Sequence, residues 1–122
     1  MRKAYRIGYP GKEYAIKSMQ RKQCEKNIEL LEKELSVMMK LDSPYLTKFH
    51  EVYYDDDYVN IVTELCAGNT IKQLLEEQPN QRFPEEEARQ IIRNCLVGLN
   101  HLHSLEIAHR DLKPENIIQA GK

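Results

Sequence analysis

The chain has 122 residues with 18 basic and 19 acidic side chains, a formal net charge of −1, 41% hydrophobic and 30% charged residues, the balance of one soluble globular domain. No basic stripe dominates, which argues against a nucleic-acid partner. No apolar run approaches the roughly 18–20 residues that cross a bilayer, and the basic N-terminus MRKAYRIGYPGK has no apolar stretch behind it, so a cytoplasmic or nuclear setting away from membranes is expected.

Residues 4–7 and 13–19 read as short strands around Gly8-Tyr9-Pro10-Gly11, a hairpin. Over Asn27–Lys40, Ile28, Leu31, Leu35 and Met38 recur at helical spacing with Glu and Lys between them. That pattern predicts an amphipathic helix with one buried stripe. It should end near Asp42-Ser43-Pro44, because the residue before a proline is pushed out of the helical region. Leu46–Tyr53 and Tyr58–Leu65 are the next strands, flanking Tyr54-Asp55-Asp56-Asp57. The three aspartates lack the alternating ligands, central Gly and terminal Glu of a calcium-binding loop, so the run reads as a solvated turn.

Ala67-Gly68-Asn69 interrupts the pattern, and Thr70–Gln78 resumes as a short helix capped by Thr70. Pro84-Glu85-Glu86-Glu87 marks another helix start, with proline at the first helical position and acidic residues at the positive end of the dipole. From there Ala88, Ile91, Ile92, Cys95, Leu96, Leu99 and Leu102 form a wide apolar stripe. Gly98 inside that helix costs about 1 kcal/mol relative to Ala, which implies a close approach at that point. His50, His101 and His103 have no third ligand at zinc spacing and read as structural. Cys24, Cys66 and Cys95 are far apart, odd in number and without CxxC spacing, which favours reduced thiols. The order β-β-α-β-β-α-α predicts an α+β fold: a small antiparallel sheet with one helix, followed by a helical part.

Two stretches carry chemistry. Tyr14-Ala15-Ile16-Lys17 matches V-A-I-K at three of four positions, and His109 through Asn116 matches H-R-D-L-x-x-x-N throughout. A strand ending in Lys is commonplace, but the octapeptide is specific and the two occur in the right order. On these residues the chain resembles the first half of a eukaryotic protein kinase domain of the Ser/Thr type. The resemblance implies a partial N-lobe over residues 1–66, then the hinge, the first C-lobe helices and the catalytic loop over 67–122.

It also implies ATP-dependent phosphoryl transfer to a Ser or Thr hydroxyl of a protein substrate, with Mg²⁺. Such a transfer asks the protein mainly for positioning and charge stabilisation. Lys17 is assigned to the α- and β-phosphates of ATP. Its carboxylate partner is expected on the following helix. Glu34, ten residues before Pro44, is preferred, and Glu32 on another helical face is the competitor. Without Lys17 and Asp111, either would read as a surface Glu. Asp111 is assigned to the proton of the substrate hydroxyl, Lys113 to the γ-phosphate, Asn116 to a magnesium ion and Arg110 to a phosphate on an activation loop. Lysine two residues after Asp111 is the pattern of the Ser/Thr-directed branch. Thr63 falls at the gatekeeper position, and the backbone of Glu64-Leu65-Cys66 faces adenine, with Ala15 and Ile118 above and below the ring. Plain core packing is compatible with all of these hydrophobic contacts. Cys66 reads as a small buried hydrophobe, with no neighbouring cation to activate it.

FHEVYYDDDYVNIVTELCAGNTI is similar to the calcium/calmodulin-regulated and calcium-dependent branch, although Asn69 replaces its second Gly and Thr70 the usual Glu near the ribose. Counting back from Lys17, Met1 falls at or beside the Val that closes the Gly-rich loop G-x-G-x-x-G-x-V, and Gly8 and Gly11 belong to the next turn. D-F-G would follow Asn116 by about a dozen residues. Two expectations follow: a Ser/Thr kinase sequence that is inactive as these 122 residues alone, or a non-catalytic nucleotide-binding or protein-interaction module. In either case the apolar face of the 85–104 helix leaves room for a protein partner.

Overall fold

Strand β2 (Glu13–Gln20) and strand β4 (Tyr58–Glu64) form the centre of a four-stranded antiparallel sheet. Strand β1 (Arg2–Tyr5) lies on one edge and β3 (Phe49–Tyr54) on the other, in the order β1-β2-β4-β3. The computed structural model describes residues 2–8 and 10–120. Met1, and Tyr9 in the expected hairpin turn, lie outside the described residues. Two compact units are present, Met1–Asp42 with Thr47–Leu65, and Ser43–Leu46 with Cys66–Lys122.

In the first unit, the sequence of β4 explains its central place. Val59, Asn60, Ile61 and Val62 are consecutive buried residues, so both faces of the strand are covered. Val59 is fully buried, which contributes about 1.5–3 kcal/mol relative to exposure. Tyr14, Ala15, Leu35 and Leu41 complete the buried apolar set. The register pairs Ala15 with Thr63, Lys17 with Ile61 and Ser18 with Asn60. On the outer edge Tyr5 pairs with Glu13, whose carboxylate takes the Tyr5 hydroxyl at 3.1 Å and the Lys3 ammonium at 2.5 Å. The first hairpin is two residues earlier than the expected 4–7 strand, because Gly8 and Gly11 both take positive φ (86° and 93°) and open a loop after Tyr5.

The helical segment also differs from the expected single helix over 27–40. A short helix α1 (Arg21–Cys24) follows β2 directly, a 3₁₀ turn covers Glu25–Asn27, and α2 runs from Ile28 to Met38. Only Leu35 of the expected stripe is fully buried, and Leu30 is exposed. β3 begins at Phe49 rather than Leu46, because Leu46 donates its N–H to the Ser43 carbonyl at 3.2 Å in the turn around Pro44.

In the second unit, α3 (Ile71–Glu77) begins with a capping box. The Gln73 N–H donates to Thr70 Oγ1 at 3.2 Å, and the Thr70 N–H donates to Gln73 Oε1 at 2.9 Å. α4 (Glu85–Ser104) starts one residue later than expected, with Pro84 as its cap rather than its first residue. The expected close approach at Gly98 is present: a Cβ there would lie 3.2 Å from the Tyr45 carbonyl oxygen and 3.3 Å from Leu46 Cδ2. Leu102 is buried, whereas Ile92 and Leu96 are exposed, so the stripe is only partly covered.

Candidate functional site

The residues of the octapeptide His109–Asn116 are brought together inside the second unit. After α4, Arg110 takes a left-handed conformation (φ 67°), which bends the chain so that the Asp111 N–H donates to His109 Nδ1 at 3.2 Å. Pro114–Asn116 then form a 3₁₀ turn that carries Asn116 back over the loop. The Asn116 carboxamide donates to both Asp111 O (2.8 Å) and Asp111 Oδ2 (2.9 Å). Lys113 Nζ reaches Asp111 Oδ1 at 3.3 Å. Both carboxylate oxygens of Asp111 therefore carry a donor. The Lys113 hydrogen bond first, then that of Asn116, holds the Asp111 carboxyl below the usual carboxylate range, with the Lys113 and His109 charges adding to the effect. Asp111 remains exposed, so its ionised oxygens stay open to another group.

The segment after this loop is anchored to the start of α3. Ile71 N–H donates to the Ile117 carbonyl at 2.8 Å, Gln119 N–H donates to the Asn69 carbonyl at 3.0 Å, and Thr70 bridges to Ile118 between them. Lys72 and Glu115 form an ion pair at 3.4 Å beside them. This pairing presents Ile118 partly exposed, and leaves Cys66 half-buried. Gly68 makes the approach possible, because a Cβ there would overlap the Gln119 carbonyl. Sequence reasoning did not anticipate Gly68 as a contact point; the break at Ala67-Gly68-Asn69 was its only signal.

The first unit holds the other expected residues. Ala15 is buried and faces Thr63 across the ladder, so these two are neighbours. The Thr63 hydroxyl donates to the Glu64 carbonyl at 3.2 Å, and Glu64 is fixed by its carboxylate, which accepts the Lys48 N–H at 2.8 Å. The Lys48 carbonyl in turn accepts the Glu64 N–H at 2.9 Å. Lys17 and Glu34 are both exposed. Among the described residues no ion pair joins Lys17 to Glu34 or to Glu32. Glu34 instead lines a shallow hollow with Cys24, Asn27, Leu30 and Leu31.

The aspartate run is a turn, as expected, but Asp55 does more than meet solvent. Its Oδ1 accepts the N–H groups of Asp57 (2.9 Å) and Tyr58 (2.7 Å), and its Oδ2 accepts the Asn60 carboxamide at 2.9 Å. Those bonds, the one from Asn60 first, hold its carboxyl below the usual range. Among the described residues no three His, Cys, Asp or Glu side chains cluster to hold a metal ion. The Asn116 carboxamide nitrogen donates to Asp111, and its oxygen is of the donor type that Mg²⁺ takes.

Residues 4–122 match the family described as "Protein kinase domain". "Calcium-dependent protein kinase 5" of Plasmodium falciparum (isolate 3D7) is 38% identical over 108 residues, which is 88% of this chain and 18% of that protein. "Serine/threonine-protein kinase AGC1-5" of Arabidopsis thaliana is 35% identical over 107 residues, 86% of this chain and 18% of that protein. The crystal structure of Rad53 1-466 in complex with AMP-PNP superposes with a TM-score of 0.80 at 28% identity, over 92% of this chain and 29% of that one. The chain thus spans under a fifth of the length of these curated relatives. Two different kinase branches are nearly equally similar, so neither is singled out.

Proposed function

The chain belongs to the protein kinase domain family, and on that premise we propose that it supplies the nucleotide-binding and catalytic-loop residues of a Ser/Thr protein kinase. The reaction is transfer of the γ-phosphoryl group of ATP to a Ser or Thr hydroxyl of a protein. One observation carries the reading: an exposed, ionised Asp111 held between Lys113 and Asn116. A carboxylate with fixed oxygens is suited to orient a hydroxyl and accept its proton. Lys113 beside it would neutralise charge building on the transferred group.

Lys17 would bind the α- and β-phosphates, with Glu34 as its carboxylate partner. Ala15 and Ile118 would contact the adenine ring, Thr63 would limit the pocket behind it, and the backbone at Glu64 and Cys66 would bond its edge. The Glu64 carbonyl already accepts from Thr63, so adenine would share that oxygen. Asn116 would give Mg²⁺ one oxygen ligand, and the bound ion would supply positive charge to offset that of the phosphates.

The expected result is that the chain binds AMP-PNP, that Lys17→Met weakens the binding without removing it entirely, and that Asp111→Asn preserves it. The 122-residue polypeptide alone, which contains no D-F-G, is expected to transfer no phosphate. Unchanged AMP-PNP affinity in the Lys17→Met chain would sink the assignment of Lys17. Phosphate transfer by the isolated polypeptide that depends on Lys17 and Asp111 would overturn the expected inactivity.

A further inference from the structure

Asn60 lies among Val59, Ile61 and Val62 in the buried part of β4, and it is 4% exposed. Both polar atoms of its side chain are engaged. Oδ1 accepts the Ser18 hydroxyl at 2.7 Å, and Nδ2 donates to Asp55 Oδ2 at 2.9 Å. Arg2 Nη2 donates to the same Ser18 oxygen at 3.0 Å. At the other end, Arg21 donates its guanidinium to the Asp55 carbonyl (3.2 Å) and its N–H to the Asp57 carbonyl (2.8 Å). A single chain of hydrogen bonds therefore joins β1, β2, β4, the β3–β4 turn and the first residue of α1.

We infer that Asn60, tied to Ser18 and Asp55, is a positioning residue for Lys17; this rests on the reading of Lys17 as the phosphate-binding group. Ser18 follows Lys17 directly, and the ladder pairs Ser18 with Asn60 and Lys17 with Ile61. Side chains alternate faces along a strand, so Lys17 leaves β2 on the face opposite the network, immediately beside it. A slip of one residue between β2 and β4 would turn Lys17 to the wrong face. Apolar packing resists such a slip weakly here, because Tyr14 and Ala15 are buried while Ile16 and Met19 are only half-buried. A buried carboxamide that must meet Ser18 on one side and Asp55 on the other accepts one register only. An apolar side chain of similar size would fill the core equally well and would lose that selection. The Asp55 turn contributes by presenting its carboxylate to Asn60 from a fixed position.

The test is a double-mutant cycle read in AMP-PNP affinity, on the full chain, with unfolding measured in parallel. Asn60→Leu removes the carboxamide at near-constant volume. Asp55→Ala removes its partner from an exposed turn, and so serves if the buried change disturbs folding. Each is expected to weaken AMP-PNP binding about fivefold in the parent chain and to leave the residual affinity of a Lys17→Met or Lys17→Arg chain unchanged. A purely structural role would lower thermal stability equally in both backgrounds and produce no such coupling, which overturns the inference. Affinity that depends on Lys17 but ignores both Asn60→Leu and Asp55→Ala overturns the inference alone. Affinity that does not depend on Lys17 overturns the nucleotide reading, and this inference with it.

Discussion

Gly68→Ala tests how the 117–119 segment after the octapeptide is anchored. A Cβ at position 68 would overlap the Gln119 carbonyl oxygen, lie 2.8 Å from its carbonyl carbon and 3.6 Å from its Cα. Every one of these atoms is backbone, so no flexible side chain can yield. The 117–119 segment must move off the start of α3, and the bonds Ile71 N–H to Ile117 O (2.8 Å) and Gln119 N–H to Asn69 O (3.0 Å) go with it. Each neutral hydrogen bond is worth about 0.5–1.5 kcal/mol net, so the pair together contributes about 2 kcal/mol. The freed groups reach water, which keeps the loss near that figure rather than at the larger penalty of a buried unsatisfied group. Urea denaturation of the full chain reads the stability, and amide exchange at Ile71 and Gln119 reads the local opening. Both amides should lose protection together. A Gly68→Ala chain within about 0.5 kcal/mol of the parent, with both amides still protected, would refute the anchoring argument.

Thr70→Ala removes the oxygen that accepts the Gln73 N–H, and should cost about 1 kcal/mol in chemical denaturation. Gly98→Val should lose about 2 kcal/mol through overpacking against Tyr45 and Leu46, while Gly98→Ala stays within about 1 kcal/mol because its gain in helix propensity offsets the contact. His50, edge-on to the Tyr14 ring at 5.0 Å, has its pKa lowered first by burial and then by Lys12 and Lys48, against the opposing Glu64 and Glu51. The unfolded imidazole binds its proton at a higher pH than the folded one, so its contribution is present above about pH 6.5 and is lost as pH falls through the folded pKa. His50→Gln should flatten that acid-side slope in unfolding midpoints measured against pH, and an unchanged slope would rule out His50 as its source.

What the sequence made legible was mostly local. The Thr70 cap and the Gly98 contact each rest on a few adjacent residues and occur where expected, whereas α2 ends at Met38, short of the stop expected near Pro44. The short helix α1 was not legible, since Arg21–Cys24 carry no apolar stripe; their place follows from the Arg21 bonds to the Asp55–Asp57 turn, which lie far away in sequence. The same turn illustrates the limit of composition. Three aspartates predict exposure, which is correct, but the partner of Asp55 is the buried Asn60, and only the antiparallel register brings them within 2.9 Å. The exposure of Ile92 and Leu96 had a comparable cause: helical periodicity finds an apolar face but says nothing of how much of it this chain covers.

Lys17 and Glu34 bring these two levels together. A motif reads them as a pair, yet both side chains are exposed, and no ion pair joins them among the described residues. An exposed Lys–Glu pair is worth about 0–1 kcal/mol, whereas burial of a leucine such as Leu35 contributes about 1.5–3 kcal/mol. The apolar term is the larger, so the seat of α2 is decided by Leu35 and not by attraction between the two charges. Lys17, in turn, takes its direction from the β2–β4 register that Asn60 selects. Whether the charges meet is thus governed by one leucine and one carboxamide, neither of which belongs to the motif that names the pair.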